Sequence, residues 1–281
     1  MTRRLFLFAG YDAHGIIDES LIIYVRALAM HGDVIVVMDS DCPAHELRKL
    51  APYTIHAAAA RHGEYDFGSY KRAYTCARDA GILNNYDFVY MANDSMYGPL
   101  HPLGPVIERM ENMHTDAFGM VAKRHKTRPH IQSWFIGMRA SVFRTEWFDE
   151  FMTSITKLES KGLITHMYEQ GFTRLVAAHG LIWGALWHVR NRGVYNNIKK
   201  LYRAGVPLMK KVAFRRRGGA LGGQILYVLS HIEPSVKNAI LSNARRVWGD
   251  EYIGWLLTRN PIKIILRNIA YGMQKLLSGK I

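Results

Sequence analysis

The feature that most constrains the fold is a pair of short apolar runs near the start of the chain, separated by an amphipathic stretch. Residues 5–9 (LFLFA) and 34–38 (VIVVM) are continuously apolar, as strands buried on both faces are. Between them, residues 20–30 (SLIIYVRALAM) have apolar positions at helical spacing, and His31-Gly32 ends the pattern. This order predicts a βαβ unit, and therefore a parallel sheet covered by helices on both faces.

The same pattern continues along the chain to about Gly180. Strands are predicted at residues 88–92, 118–121 and 131–138, and helices at 69–81, 102–113 and 147–158. Beyond Gly180, helices joined by Gly and Pro breaks are predicted at residues 194–204, 222–230, 235–247 and 261–277. We therefore predict an α/β domain with a mostly parallel sheet over residues 1–180 and a helical region over residues 181–281.

The excess positive charge is confined to the predicted helical region. The whole chain carries 37 Lys and Arg and 23 Asp and Glu, a net charge of +14. Residues 181–281 contain eighteen of the bases and three of the acids, so residues 1–180 are close to neutral. This split indicates a near-neutral working domain followed by a basic appendage. A nucleic-acid-binding module with stacking aromatic residues between the bases is not found, so no nucleic-acid partner is predicted.

Cysteine use and hydropathy indicate where the protein works. Cys42 and Cys76 are too few for a disulfide framework or a zinc cluster, which favours a reducing cytoplasm. The apolar run at residues 5–9 is too short for the core of a signal peptide. No window approaches the roughly 18 apolar residues of a membrane-spanning helix.

Three polar clusters fall at the carboxyl ends of predicted strands or just before a helix, at residues 10–12, 66–71 and 93–95. Ligands of open α/β sheets bind outside these strand ends. In YDFGSYK, Asp66 and Gly68 stand at a helix start with Lys71 one turn later, an arrangement that suits a diphosphate or a ribose. The alternative is that Asp66 or Ser69 only caps the helix.

The cluster Asn93-Asp94-Ser95 ends a run that looks buried. A carboxylate at a strand end can hold a divalent cation that bridges two phosphates, so Asp94 is a candidate for the edge of a nucleotide-sugar and metal site. The alternative is a turn in which Asn93 and Asp94 bond their own backbone before Gly98-Pro99.

Two later stretches also carry candidate site residues. Residues 123–134 (KRHKTRPHIQSW) contain four Lys or Arg, His130 and Gln132, and such a loop could close over a departing diphosphate. In HMYEQGFTRL, Glu169 is a candidate general base for a sugar hydroxyl. The alternatives are a solvated charged loop and an ordinary surface glutamate. The histidines lack the spacing of a zinc site.

Together these stretches resemble the rhamnan synthesis F family of bacterial glycosyltransferases, which build rhamnose-containing polysaccharides. The resemblance is carried, in order, by GYDAHGIIDESLIIYVRAL, GDVIVVMDS, YDFGSYKRA, YDFVYMANDSMYGPL, DAFGMV, HIQSWFIGMR, YEQGFTRL and, more weakly, NIKKLYRAGVPLMKKVAFR. It covers about residues 5–215, and the combination of DFGxYK with NDSxYGP is specific. It implies a GT-A-like fold, in which a Rossmann-type sheet binds a nucleoside-diphosphate sugar.

The resemblance implies that residues 10–12 border the base and that residues 93–95 stand where the family has its Asp-x-Asp motif. This chain has one carboxylate there instead of two, so strong Mg²⁺ or Mn²⁺ binding at Asp94 is not expected. The predicted donor-binding residues are Gly10, Tyr11, Asp12, Asp66, Gly68, Lys71, Asn93, Asp94, Ser95, His130 and Gln132.

The implied reaction is attack by an acceptor hydroxyl on the anomeric carbon of the donor, with the nucleoside diphosphate leaving and inversion at that carbon. Glu169 is the preferred base and Asp94 the second candidate. The default donor is dTDP-rhamnose, and the acceptor is a growing cell-surface polysaccharide or a lipid-linked oligosaccharide. Because the carboxylate motif is reduced, a catalytically inactive carbohydrate-binding or scaffolding subunit remains the alternative.

The basic region suggests a further partner. Residues 214–219 (FRRRGG) and the last predicted helix, 261–277, alternate bases with apolar residues. One stripe of that helix is apolar and consists of Ile262, Ile265, Ile269, Met273 and Leu276. Such a helix could rest on an anionic bilayer, which predicts a cytoplasmic protein peripheral to the inner face of the cell membrane. The alternative is a helix packed on the domain with its bases solvated.

Overall fold

The computed structural model describes residues 2–215 and 221–277, so most of FRRRGG lies outside the described residues. The chain divides into two compact units. Unit 1 comprises Met1–Ser95 and Pro102–Asn191, and unit 2 comprises Met96–His101 and Arg192–Ile281. Each unit has a hydrophobic core of its own.

Ten strands and fourteen α-helices are found in the described residues. The strands are β1 (Arg4–Gly10), β2 (Asp33–Met38), β3 (His56–Ala59), β4 (Phe88–Asn93), β5 (Met96–Tyr97), β6 (Ala117–Arg124), β7 (His130–Ile131), β8 (Phe135–Arg139), β9 (Trp183–Arg190) and β10 (Met209–Lys210). The helices of unit 1 are α1 (Glu19–Ala29), α2 (Ala44–Leu47), α3 (Tyr65–Asp79), α4 (Gly104–Glu111), α5 (Ala140–Phe143), α6 (Glu146–Thr153), α7 (Lys161–Ile164) and α8 (Gln170–Ala178). Those of unit 2 are α9 (Gly193–Asn196), α10 (Ile198–Arg203), α11 (Leu221–Leu229), α12 (Pro234–Trp248), α13 (Asp250–Leu256) and α14 (Pro261–Leu277).

The sheet of unit 1 has the order β3-β2-β1-β4-β8-β6-β7, and β9 also pairs with β6. The pairs β1–β2, β1–β4, β2–β3 and β6–β9 are parallel, whereas β8 runs antiparallel to both β4 and β6. The predicted α/β fold with a mostly parallel, Rossmann-type sheet is confirmed.

Helices cover both faces of this sheet, and the central strands β1, β2 and β4 are buried at nearly every position. On one face, Tyr24 of α1 packs edge-on against Phe8 of β1, with ring centroids 5.3 Å apart. On the other face, Tyr70 and Tyr74 of α3 share a core cluster with Leu7. Helix α1 begins where Asp18 accepts a hydrogen bond from the Leu21 amide at 3.2 Å, an ordinary N-cap.

Several elements differ from the sequence-based expectation, and three of these differences concern the sheet of unit 1. Strand β3 has the sequence HAAA and is set by its pairing with β2 rather than by its own propensity. Strand β9 lies beyond Gly180, where only helices were expected, and belongs to the sheet through β6. The strand predicted at residues 131–138 is two strands, β7 and β8, interrupted between Ile131 and Phe135.

Unit 2 is mainly helical, as the sequence indicates, and contains one helix that was not predicted, α13. Its only sheet among the described residues is the antiparallel pair β5–β10. The core includes Tyr97, Phe214, Ile225, Ile240 and Ile253. Within the described ranges, no helix is both long enough and apolar enough to cross a bilayer.

Candidate functional site

The predicted site residues of the first and third clusters lie at the carboxyl edge of the central strands of unit 1. The Asp39 amide donates to the Gly10 carbonyl at 2.8 Å, and the Asp94 amide donates to the Ala9 carbonyl at 3.0 Å. Asp39 and Asp94 therefore flank the end of β1 from the two neighbouring strands. Both are largely buried. Asp39, which directly follows β2, was not predicted, although its position after a buried strand is the same signal that singled out Asp94.

The second and third clusters meet through their side chains. The Asn93 amide nitrogen donates to Asp66 Oδ2 at 3.0 Å. The Asn93 Oδ1 accepts from both the amide and the hydroxyl of Ser95. Tyr65, directly before Asp66, has a φ of 58°, a left-handed conformation that is costly for a bulky residue. Strained backbone of this kind concentrates at functional sites.

Tyr70, which lies inside YDFGSYK but was not singled out from the sequence, connects this cluster to Glu169. Its hydroxyl is fully buried and donates to the Ser133 carbonyl at 3.0 Å. The Ser133 amide in turn donates to Glu169 Oε1 at 3.3 Å. Burial, followed by the charge of Asp66, raises the pKa of Tyr70 well above its usual value, and a hydrogen bond with Asn93 opposes this rise. Tyr70 is therefore a neutral donor.

Glu169 and His130 lie together on the other side of Ser133. The nearest approach is 3.7 Å, between His130 Nε2 and Glu169 Oε1, and both side chains are largely buried. His130 Nδ1 donates to the Arg128 carbonyl at 2.9 Å, because a carbonyl can only accept. Glu169 ends a π-helical turn, Thr165–Glu169, between α7 and α8. Turns of this kind are rare and frequent at functional sites.

Other predicted site residues have structural partners. The Lys71 ammonium donates to the Ile155 carbonyl at 2.7 Å. The Asp12 carboxylate accepts from the amides of His14 and Ile16 within its own loop. The backbone N–H of Gln132 donates to the Val121 carbonyl, and the Gln132 side chain is buried. These residues shape the edge of the sheet, whereas the ring of Tyr11 is about half exposed.

Gly68 has a packing reason to be glycine. A Cβ at this position would lie 2.3 Å from Glu64 Cβ and 2.8 Å from His62 Cε1. The close approach brings α3 against the loop after β3, and Glu64 then accepts from Arg72 at 2.6 Å. Gly68 therefore positions the start of α3 and Asp66 with it.

A Ser-His-Asp set also lies beside α3, but its hydrogen bonds exclude a nucleophilic role. His62 Nε2 is 3.0 Å from the Ser69 hydroxyl, and His62 Nδ1 is 3.7 Å from Asp39. The Glu64 amide donates to His62 Nδ1 at 3.0 Å, so the ring proton is on Nε2 and the ring donates to Ser69. A histidine that donates to serine cannot remove the serine proton. Burial lowers the pKa of His62, which keeps the ring neutral.

Tyr24 was also missed by the sequence reading. Its hydroxyl is fully buried and has no hydrogen-bond partner among the residues that the structure describes. Burial, followed by the charge of Asp94, raises the pKa of Tyr24 well above its usual value. Tyr24 therefore places an uncompensated hydroxyl within electrostatic range of Asp94, on the α1 side of the sheet.

The described residues include no group of three or more His, Cys, Asp or Glu side chains arranged to hold a metal ion. The carboxylates that border Asn93 are Asp94, next to it in sequence, and Asp66, which accepts its hydrogen bond. Oxygen ligands of this type are those that Mg²⁺ and Mn²⁺ prefer. The chain can supply part of a coordination shell here, and phosphate oxygens would have to complete it.

Several solved structures share parts of this architecture. A protein named as a nucleotide-diphospho-sugar transferase from Desulfovibrio desulfuricans G20 is 16% identical, with 90% of this chain and 99% of that chain covered and a TM-score of 0.42. S. aureus TarS 1–349 is 11% identical, with 98% and 80% covered and a TM-score of 0.40. Core-mannan synthase A from Aspergillus fumigatus, in a Mn/GDP form, is 10% identical, with 54% and 63% covered and a TM-score of 0.31.

These scores are low, so the similarities carry no conclusion about activity. No curated protein matches the sequence significantly. The family model described as rhamnan synthesis protein F matches residues 34–275, which is most of the chain and includes YDFGSYK, NDSMYGP and Glu169. The predicted family is confirmed: the chain belongs to the rhamnan synthesis protein F family.

Proposed function

We propose that this chain is a glycosyltransferase that moves a sugar from a nucleoside-diphosphate donor to a growing cell-surface polysaccharide or lipid-linked oligosaccharide. The observation that carries the proposal is the 3.0 Å hydrogen bond from Asn93 to Asp66, which joins the helix-start and strand-end motifs at the carboxyl edge of the sheet. That edge is where open α/β sheets bind ligands. Membership of a rhamnan synthesis family supports dTDP-rhamnose as the default donor.

In this proposal, Asp94 and Asp66 provide oxygens at the end of β4 for the ribose and diphosphate of the donor. A Mg²⁺ or Mn²⁺ ion would be held by Asp94 together with the phosphates, and it would neutralise the charge of the leaving group. Lys71 is a weaker donor-binding candidate than the sequence indicated, because its ammonium would first have to give up the Ile155 carbonyl.

We assign the role of general base to Glu169. Its carboxylate has one protein N–H donor, Ser133, and a second polar neighbour, His130, so one oxygen is held in place. A single base is sufficient for inversion, since the acceptor hydroxyl attacks the anomeric carbon directly and the nucleoside diphosphate leaves with the electron pair. Asp94 is the second candidate for this role.

The test is release of nucleoside diphosphate from a panel of sugar nucleotides in the presence of a lipid-linked acceptor. Glu169→Gln should lower kcat by roughly 10² to 10⁴-fold, the usual contribution of a general base. Glu150→Gln, an exposed substitution on α6, serves as the matched control and should leave kcat unchanged. Wild-type protein that releases no diphosphate from any donor would instead support a non-catalytic carbohydrate-binding or scaffolding subunit.

Metal dependence is tested with the same assay. Asp94→Ala should abolish transfer, because it removes the carboxylate at the end of β4. Chelation should reduce transfer only in part, since the protein offers few ligands of its own. Complete loss of transfer on chelation would show that a second protein ligand takes part in binding the ion.

We also propose that unit 2 rests on the inner face of the cell membrane through α14. Arg267 faces inward and donates to the Leu256 carbonyl. Four residues of the predicted stripe, Ile262, Ile265, Ile269 and Met273, are more than half exposed, and so is Leu266; the side chain of Leu276 lies outside the described residues. An outward apolar stripe on a basic region matches a helix that lies in an anionic interface.

The membrane proposal is tested by sedimentation with vesicles that contain phosphatidylglycerol. Ile265→Ser combined with Ile269→Ser should weaken binding, since it removes apolar surface from the stripe. Met30→Ser removes an exposed apolar side chain in unit 1 and is the matched control. Equal binding by the double variant and the control would contradict a membrane role for α14.

A further inference from the structure

His130 is buried beside the proposed general base. Its side chain is 3% exposed, and each ring nitrogen faces an oxygen of the protein. Nδ1 donates to the Arg128 carbonyl at 2.9 Å, and Nε2 lies 3.7 Å from Glu169 Oε1. Both nitrogens are therefore directed at protein atoms, and one of them at the proposed base.

The two segments that carry His130 and Glu169 are joined by contacts of their own. The amide of Ile131, directly after His130, donates to the Thr173 hydroxyl at 3.2 Å. Thr173 lies four residues after Glu169, so both side chains project from the same face of the helical segment that includes α8. Strand β7 also pairs with β6, where Lys123 is the register partner of His130. His130 and Glu169 are thus kept as neighbours by the packing of β7 on α8.

The two oxygens of the Glu169 carboxylate have different surroundings. Oε1 accepts from the Ser133 amide at 3.3 Å and faces His130 Nε2. Oε2 accepts no hydrogen bond from any residue that the structure describes. The carboxylate is anchored through one oxygen, and the other oxygen remains for the proton of an acceptor hydroxyl.

The contact between His130 and Glu169 is too long, at 3.7 Å, to be a hydrogen bond. Hydrogen bonds of catalytic groups are often long before the substrates bind and shorten in the complex that reacts. Because Nδ1 already uses its proton for the Arg128 carbonyl, a hydrogen bond from Nε2 requires a second proton on the ring. A base must be unprotonated to act, so in a closed pair this proton belongs to His130.

We propose that His130 is a positioning residue for the general base: its Nε2–H donates to Glu169 Oε1 in the reacting complex and leaves Oε2 to accept the proton of the acceptor hydroxyl. This assignment rests on the proposed function, in which Glu169 is the base. During the reaction, the hydroxyl proton moves to Oε2 and the electron pair of the hydroxyl oxygen forms the bond to the anomeric carbon. The nucleoside diphosphate leaves with the electron pair of the broken bond, and His130 keeps both of its protons.

Two amide variants separate this positioning role from a purely structural one, because each keeps one of the two ring nitrogens. His130→Asn places an N–H near Nδ1, so it keeps a donor for the Arg128 carbonyl and loses the contact with Glu169. His130→Gln places an N–H near Nε2, so it keeps a donor for Glu169 and loses the bond to Arg128. The variants should therefore rank in opposite order for activity and for stability.

The assays are release of nucleoside diphosphate, with the best donor of the sugar-nucleotide panel and a saturating lipid-linked acceptor, and urea denaturation. His130→Asn should lower kcat by roughly 10 to 10²-fold with an unchanged KM for the donor, the cost of misplacing a catalytic group by about 1 Å. His130→Gln should keep kcat within about threefold of wild type and have the lower urea midpoint of the two variants. His188→Asn, an exposed substitution on β9, is the matched control and should change neither kcat nor the midpoint.

His130→Asn is also combined with Glu169→Gln. A residue that acts only through Glu169 has nothing to position once the base is gone, so the double variant should be as slow as Glu169→Gln alone. A further loss of kcat in the double variant would show that His130 acts independently of Glu169 and would overturn the assignment.

Three other results would also overturn it. They are a wild-type kcat in His130→Asn, equal losses of kcat in His130→Asn and His130→Gln, and losses of kcat that follow the losses of stability. Each of these leaves the proposed function intact if Glu169→Gln is slow. A wild-type kcat in Glu169→Gln would instead disprove the base and the positioning role together, and a wild-type protein that releases no diphosphate would disprove the glycosyltransferase proposal as well.

Discussion

The substitution Tyr70→Phe tests whether the hydrogen bonds from Tyr70 through Ser133 hold Glu169 in position. It removes one hydroxyl and keeps the buried ring, which packs edge-on against Phe67 with centroids 5.6 Å apart. The lost hydrogen bond, 3.0 Å long, holds the Ser133 carbonyl, and the Ser133 amide contacts Glu169. Tyr74→Phe is a closely matched control. Tyr74 lies one turn further along α3 and donates a hydrogen bond of 3.1 Å to Asp149 instead.

The expected losses of stability and of turnover follow from these contacts. Tyr74→Phe removes the hydrogen bond to Asp149 and should lower the free energy of unfolding by about 1 kcal/mol. Tyr70→Phe removes the hydrogen bonds with Ser133 and Asn93 and can cost up to about 3 kcal/mol, because the Ser133 carbonyl loses a donor in a partly buried place. Only Tyr70→Phe should affect turnover. We expect a roughly tenfold fall in kcat, a fraction of what a general base supplies, since Glu169 loses orientation but keeps its chemistry.

The assay compares urea denaturation with nucleoside-diphosphate release for both variants, at saturating donor and as a function of donor concentration. Tyr70→Phe should lower kcat with little change in the KM for the donor, because the carboxylates of Asp66 and Asp94 are unchanged. Tyr74→Phe should lose about 1 kcal/mol of stability and no activity. Equal losses of kcat in the two variants would refute the reasoning, and so would a Tyr70→Phe protein with wild-type kcat.

Three further predictions concern buried polar groups. Tyr24→Phe should raise the free energy of unfolding by about 1 kcal/mol, because it removes a buried hydroxyl that has no partner among the described residues; a lower urea midpoint would contradict this. Glu111→Gln should lower the free energy of unfolding by about 3 kcal/mol, since Arg4 donates to both carboxylate oxygens, at 2.6 and 2.7 Å, and Tyr90 donates at 2.6 Å. A smaller loss of stability than the same substitution causes at an exposed glutamate would contradict this. Burial lowers the pKa of His62 in the folded protein, so its contribution to stability is present above its unfolded pKa of about 6.5 and is lost as the pH falls through the lower folded value. His62→Asn should therefore reduce the change in the free energy of unfolding between neutral and acidic pH. An unchanged pH dependence would count against this.

The central part of the fold could be predicted because its signals are local. Continuous apolar runs mark β1 and β2, and helical spacing marks α1 between them. Strands β3 and β9 could not be predicted in this way. β3 is largely alanine, and β9 pairs with β6, which begins more than sixty residues earlier in the chain. These two segments form strands because of the strands they pair with and the surface they bury, and neither property can be read from a short window of sequence.

Some residues of the candidate site could likewise be predicted from the sequence, and others could not. Asp66, Asn93 and Asp94 were recognisable because each stands at a strand end or helix start. Tyr70 was not, because its hydroxyl acts through Ser133, a partner that is distant in sequence. Asp39 was missed, although it directly follows a buried strand as Asp94 does. Lys71, which the sequence favoured as a donor contact, donates to the Ile155 carbonyl, since the loop after α6 passes within its reach.

The sequence by itself determined that a parallel sheet would form, which polar residues would stand at its carboxyl edge, and that positive charge would gather in the last hundred residues. Local periodicity and composition are sufficient for these properties. Only the tertiary structure decided that Asn93 bonds Asp66 and that Tyr70 reaches Glu169 through Ser133. It also decided that Arg267 faces inward while Ile262, Ile265, Ile269 and Met273 of α14 are exposed. These relations depend on which side chains meet after the chain has packed, and packing joins residues that no local pattern relates.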